Sequence, residues 1–211
     1  MKLSMKLIKP EKMKKDILRA IQKHIRNNLK GTVRLMQSRV QNTIMDAVLS
    51  SPTTKALESG DLRGELGVEK ANTAGIALAV SQIVKVKVDG PKMTGDKILL
   101  KVRIEGGQTD LNTIKGAVDG IQETEKGQKL RWLEWLLTLG DAVIVKEFEV
   151  KAGFADRSRT GDKIMVRGKG WRVPPQHAGN EDNNFLTKAI DSVLPKIEKD
   201  LMDLFSNGLR G

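Results

Sequence analysis

The chain has no cysteine, no tyrosine and only two histidines among its 211 residues. Without cysteine there is no disulfide, no thiolate metal site and no thiol nucleophile, a composition that fits assembly in a reducing compartment. Aromatic residues make up 3% of the chain, too few for the stacking platforms with which single-strand nucleic-acid binders hold bases. Of the histidines, His24 lies in a basic helical stretch and His177 in a loop after Pro174-Pro175. Neither has a serine, carboxylate or second histidine at the spacing of an acid–base or nucleophilic set. No apolar run approaches the ~18 residues of a membrane span, and the basic first ten residues lack the apolar stretch of a signal peptide. Gly168-Lys169-Gly170 has the glycines of a phosphate cradle but feeds the extended Trp171–Pro175 segment, not a helix. Glu181-Asp182-Asn183-Asn184 lacks the alternation and glycine of a calcium loop and reads as a helix cap. The expectation is a chain without catalytic residues, cofactor or metal, and so not an enzyme.

What is present is a core-forming composition with a lopsided charge. Hydrophobic residues at 39%, together with 20 glycines, are ordinary for a globular domain. The net charge is +11, and residues 1–50 hold eight Lys and four Arg against Glu11, Asp16 and Asp46, so nine of the eleven charges sit there. Such an imbalance points to a polyanion or an acidic protein surface near that segment. The division expected from it is a basic helical extension over 1–50 and an α+β domain over 51–211.

Ile17, Ile21, Ile25, Leu29, Val33, Met36, Val40, Ile44 and Val48 recur at steps of three or four and predict one long helix from Pro10 to Ser50. Gly31 is a place for it to bend or break. Its other side carries Lys12, Lys15, Arg19, Lys23, Arg26, Lys30, Arg34 and Arg39. At 1.5 Å per residue such a helix is about 60 Å long, more than a compact domain of this size can cover, so part of it is expected to meet a neighbouring subunit. Ser51-Pro52-Thr53 restarts the chain into a short helix over 54–58, followed by one more turn and a small-residue helix over 71–82. Alternation at Val84, Val86 and Val88, and again from Ile98 to Ile104, predicts a hairpin with one buried face, with its turn over Asp89–Asp96. Residues 106–128 read as a long loop with a turn of helix. A tryptophan-bearing helix ends at Gly140-Asp141 and gives way to a strand over 142–152. There Val143 and Val145 differ in parity from Phe148 and Val150, so a bulge is expected near Lys146 or Glu147. Ile164–Val166 is a further strand. Asp182-Asn183 should cap a last helix, with Pro195 kinking or splitting it after Leu194. Thr94-Gly95-Asp96-Lys97-Ile98 recurs as Thr160-Gly161-Asp162-Lys163-Ile164, which reads as turn chemistry feeding a strand rather than as duplication. The fold class is α+β: a long N-terminal helix, a small mostly antiparallel sheet covered by helices, and a C-terminal helix.

Several segments, in order, resemble a known group. These are Ser59-Gly60-Asp61-Leu62-Arg63, the run Leu130-Arg131-Trp132-Leu133-Glu134-Trp135, Ser158-Arg159-Thr160-Gly161, Gly170-Trp171-Arg172-Val173-Pro174-Pro175, and Asn183 to Ile190. Together they resemble the neck, head–tail connector and tail-completion (tail-terminator) proteins of tailed bacteriophages. That resemblance implies a structural virion protein that forms a homo-oligomeric ring and joins the capsid portal to the tail. It implies assembly in the host cytoplasm, location at the neck or tail end, portal or connector and tail proteins as partners, genomic DNA in the channel, and no membrane. Trp132, Trp135, Trp171, Arg172, Pro174 and Pro175 are the candidate subunit contacts, since interfaces favour aromatic and arginine anchors. The basic face of the first helix is the candidate surface toward DNA or an acidic partner. The alternative is a non-specific DNA-binding protein that uses that helix alone.

Overall fold

The computed structural model describes residues 10–106, 114, 120–124, 127–153 and 158–208. Its elements are α1 (Pro10–Ser50), α2 (Pro52–Ser59), α3 (Asp61–Glu65), α4 (Thr73–Ile83), β1 (Lys85–Thr94), β2 (Lys97–Glu105), β3 (Gln122–Glu123), β4 (Lys129–Leu130), α5 (Trp132–Thr138), β5 (Phe148–Ala152), β6 (Lys163–Arg167) and α6 (Phe185–Gly208). The class is α+β, with the long first helix and the C-terminal helix in place. The strands pair as three two-stranded antiparallel ladders, β1–β2, β3–β4 and β5–β6.

Two compact units form, and their boundary is not at residue 50. The first unit takes Met1–Arg39, Lys85–Glu105 and Glu198–Gly211; the second takes Val40–Val84 and Gly106–Ile197. In the first unit the helix is no bare extension, because polar side chains along it fasten the β1–β2 hairpin. Gln22 Nε2 donates to Pro91 O at 2.9 Å, the Val86 N–H donates to Gln37 Oε1 at 2.7 Å, and Lys14 pairs with Asp96. The expected turn over Asp89–Asp96 shrinks to Gly95-Asp96. Upstream, Gly90 and Pro91 stand opposite Leu100 alone, a two-against-one bulge that lets β1 continue to Thr94. Gly90 has φ +114, and a Cβ there would lie 2.7 Å from Leu99 O, so the bulge requires glycine. The face opposite the buried valines carries ion pairs, Lys87–Glu105 at 2.5 Å and Arg103–Asp89 at 2.7 Å.

Helix α1 passes through Gly31 without a break. Its apolar stripe goes from exposed to buried along the chain: Ile17 and Ile21 are 52% and 44% exposed, whereas Met36, Val40, Ile44 and Val48 are at most 1% exposed. Apolar steps of four on a 3.6-residue helix advance about 40° each time, so the stripe precesses round the helix.

In the second unit, local chemistry sets each boundary. Ser51 caps α2 by accepting from the Thr54 N–H at 3.2 Å, with Pro52 in the first turn. Asn72 caps α4 through the Gly75 N–H at 2.9 Å. Helix α5 ends in Gly140 at φ +58, whose N–H donates to Gly179 O at 2.7 Å, the left-handed residue that commonly follows a helix. The core gathers Leu57, Leu62, Ile76, Leu133, Leu136, Leu137 and Leu186, each at most 1% exposed, around Trp132. Strand β5 begins only at Phe148, and Val145 makes an isolated bridge to Trp171. Between these pairings Lys146-Glu147 face Gly168-Lys169-Gly170, so the irregularity falls where parity required it, although the extra residue is on the partner strand. Glu147 takes φ +62 at that point. Both copies of the Thr-Gly-Asp-Lys segment are turns feeding strands, β2 and β6, with Gly95 and Gly161 at φ +58 and +81. The predicted 106–128 loop lies largely outside the described residues, and its end forms the β3–β4 hairpin, which the sequence pattern did not reveal.

Two expectations for the last helix need correction. The cap is Asn184, not Asp182-Asn183: its Oδ1 accepts from the N–H groups of Leu186 and Thr187 at 3.0 and 3.2 Å, and Thr187 Oγ1 accepts the Asn184 N–H at 2.9 Å. This reciprocal pair satisfies donors that no helical carbonyl can reach. Asn180 holds the residues before it, accepting from the N–H groups of Asp182 and Asn183 at 3.1 and 2.8 Å. Of the two outcomes expected at Pro195, a kink or a split, the split is the one corrected: the helix runs from Phe185 to Gly208 with Pro195 inside. The side chain of Phe205, expected on its apolar stripe, lies outside the described residues.

Asn184 is fully buried, so Asn184→Ala removes a cap from a site water cannot reach. The expected loss of stability is about 0.5–2 kcal/mol, measured by urea denaturation of parent and variant; an unchanged midpoint would show that Asn184 is not the cap that matters.

Candidate functional site

Two surfaces collect the residues that the sequence singled out. One is a cleft of about 560 Å³ in the second unit. Leu130 and Trp135, Ser158 to Thr160, and Trp171 line it, from three separate segments of the chain. Helix α3, begun by Gly60-Asp61-Leu62-Arg63, presents Glu65. The turn after Ser158 presents Arg159 and Lys163. Trp171 closes one wall against Trp135, edge to face, with ring centroids 6.0 Å apart and planes at 63°.

The charged groups there hold the segments together. Lys163 Nζ bonds Asp61 at 2.8 Å, with the lysine side chain only 14% exposed and the aspartate 81%. That bond raises the lysine above its ordinary pKa and holds the Asp61 carboxyl below the usual carboxylate range. Arg159 Nη1 donates to Gly67 O at 3.2 Å, and Arg63 Nη1 donates to Glu69 O at 2.9 Å. Ser158 Oγ donates to Lys163 O at 2.6 Å and accepts the Gly161 N–H at 3.0 Å, so the hydroxyl shapes the turn. Glu65 is half-buried. Burial pushes its carboxyl pKa up, against the opposing pull of Lys163 and of the Trp171 indole N–H that donates to it. The cleft thus combines an aromatic pair, an apolar wall of Leu130, Val145, Val150 and Ile164, and one carboxylate between cations. Its volume is within the range of ligand pockets. Among the described residues no group of three or more His, Asp or Glu is placed to hold a metal ion.

The predicted contact residues divide. Trp132 is fully buried in the core, whereas Trp171 is 7% exposed and shows an edge to the cleft. Trp135 is half-buried on the cleft wall, Pro174 is half-buried, and Arg172 and Pro175 are exposed. Pro174 O accepts the N–H groups of His177 and Ala178 at 2.8 and 3.0 Å. His177 Nδ1 meets Thr53 Oγ1 at 3.0 Å, and burial lowers the pKa of that histidine. It serves as a packing contact between a loop and α2.

The other surface is α1. Lys12, Lys15, Arg19, Lys23, Arg26, Lys30, Arg34 and Arg39 are all exposed. At 100° per residue the first seven fall within an arc of about 100°, whereas Arg39 lies on the far side. Arg19 reaches Asp16 at 3.5 Å. Sequence reasoning found this face and missed Glu65 and its pairing with Trp171, because nothing in the spacing of residues 65, 163 and 171 announces that they meet. Among the described residues no helix is long and apolar enough to cross a membrane. Compared with protein-family models, curated proteins and solved structures, the chain matches none.

Because Glu65 titrates above the unfolded value of about 4.3, the native state holds its proton more tightly than the unfolded chain does. This lowers stability as pH rises through that window. Glu65→Gln removes the titration. Its stability relative to the parent should improve between about pH 4 and pH 7, as read by urea denaturation at each pH; a variant that loses ground over that range would show that Lys163 and Trp171, not burial, govern this carboxyl.

Proposed function

We propose that the chain is a structural subunit of a tailed-phage virion, a ring-forming neck, head–tail connector or tail-completion protein that joins the capsid portal to the tail. The observation that carries this reading is the division of α1 into three faces. One face packs on the chain's own hairpin, one is basic and exposed, and one is uncharged and exposed, with Ile17, Ile21 and Leu35 at 52%, 44% and 61% exposure. A lone globule has no use for two further faces on one helix, and an assembling subunit does. Three of the five resemblance-bearing segments line one cleft, which supports the same reading by giving them a joint structural reason to occur together.

In a purified preparation at ordinary salt, negative-stain microscopy should show closed rings, and the same protein should be found at the neck or tail end of virions. Particles that stay monomeric and turn over a small molecule would end the proposal.

The exposed arc from Lys12 to Arg34 favours one other reading, non-specific attachment to duplex DNA. Binding by charge alone weakens steeply with salt, by a slope of about 0.9 per phosphate contact. Replacing Lys23, Arg26 and Lys30 together by Gln should lower that slope by up to about three such steps, measured by fluorescence anisotropy over a salt series. An unchanged slope would remove DNA as the partner of this face and leave an acidic protein surface.

A further inference from the structure

The uncharged face of α1 has a pattern of its own. Ile17, Ile21, His24, Asn28, Gly31 and Leu35 follow one another at steps of four and three and are all exposed. They cover about 27 Å of helix at 1.5 Å per residue and lie within an arc of about 80°. The spacing is that of alternate a and d positions in a heptad. One feature does not fit a solvated face: from Ile17 to Leu35 the strip carries no charge in a helix rich in lysine and arginine. At Gly31 the strip is open, and a side chain there would meet nothing within 4 Å.

We propose that this strip binds the same strip of a second copy, antiparallel, about a two-fold axis. Reversed and offset so that Ile17 faces Leu35, the sequence becomes complementary to itself. Ile21 then faces Gly31, a bulky side chain over an open slot. His24 faces Asn28, and their side chains, which already meet at 3.1 Å within one helix, gain partners across the seam. Antiparallel coiled helices set a positions against d positions, and this offset does so at every step. A parallel pairing would put Gly31 on Gly31 and leave a void there, which close packing disfavours. The offset also keeps the basic arcs on the outer sides of the pair, so two strongly cationic helices can approach. A lipid surface is a poorer occupant, because His24 and Asn28 interrupt the strip and no aromatic residue lies on it. A polyanion is poorer still, because the strip has no cation. A two-fold contact cannot be the head-to-tail contact repeated around a ring, so this inference goes beyond the proposed ring and does not rest on it.

The full chain, which has no cysteine of its own, permits a direct test. One preparation carries His24→Cys and a second, distinguishable by a size tag, carries Asn28→Cys. Oxidation of the mixture should give the mixed disulfide in excess over either homodimer. Light scattering should report a dimer, or an even multiple of it, that tightens as salt screens the cationic faces. Gly31→Leu should abolish both signals while raising helix content, since leucine is the better helix former and the slot is empty on the free chain. A predominant Asn28 homodisulfide would overturn the antiparallel arrangement, and a monomer at every concentration would overturn the pairing. If rings and pairs both form, the rings should stack two by two. Dimers without rings would sink the virion-ring reading and leave the pairing intact. Single rings without the mixed cross-link would do the reverse.

Discussion

The geometry of α1 follows from the mismatch between an apolar step of four and a helical period of 3.6 residues. Each step of four carries the next apolar side chain about 40° round the axis, so one stripe cannot stay on one side. At its start the stripe is turned to solvent, at Ile25 it is buried, and from Met36 onward it is sealed in the interior. Burial of that last stretch is worth on the order of 1.5–3 kcal/mol for each large side chain, enough to commit the C-terminal end of the helix to the second unit. The N-terminal part is held instead by point contacts, Gln22 and Gln37 to the hairpin backbone and Lys14 to Asp96. The exposed ion pair contributes little; the two glutamine bonds set the register.

What was legible in the sequence and what was not divide along physical lines. Periodicity and punctuation were legible because both are local. Ser50 ends α1 as predicted, Ser51-Pro52 restarts the chain, and Gly140 follows the end of the tryptophan helix. Parity even placed the irregularity between Val145 and Phe148. The readings that failed depended on side-chain direction or on distant partners. Asp182 and Asn183 have the right chemistry for a cap, but Asn180 ties both backbones into a turn, so the duty falls to Asn184. Asp89 to Asp96 has turn composition throughout, yet pairing with Leu99 and Lys101 keeps most of it in the ladder. Trp132 and Trp135 are three residues apart on one helix. Their fates differ because the core lies under one and the cleft wall under the other.

The cleft was the least legible part. Its residues come from α3, β4, α5, β6 and the loop at Trp171, and each segment had been noticed for turn or packing chemistry alone. Brought together, they form a small electrostatic clasp in which Lys163 pairs with Asp61 and, with the Trp171 indole, draws the Glu65 carboxyl pKa down against burial. A carboxylate moved from water into such a place is costly unless it finds polar or cationic partners, and Lys163 and the Trp171 indole oppose that cost. Burial still outweighs these partners and holds the Glu65 carboxyl above its usual range.

Charge decides how the two exposed faces of α1 can be used together. Each copy brings a net charge of +11, nine units of it from the first fifty residues, and any assembly that gathers copies must place those charges where they repel least. Pairing through the uncharged strip keeps the basic arcs outward, where water and salt screen them within about 8–10 Å. Closing copies into a ring with the same arcs turned inward would concentrate cations in a confined channel, and only a polyanion or an acidic partner could make that favourable. The basic face and the ring are therefore one claim in the proposed assembly: without the counter-charge the ring is electrostatically opposed, and with it the sequence asymmetry between residues 1–50 and the rest acquires a physical purpose.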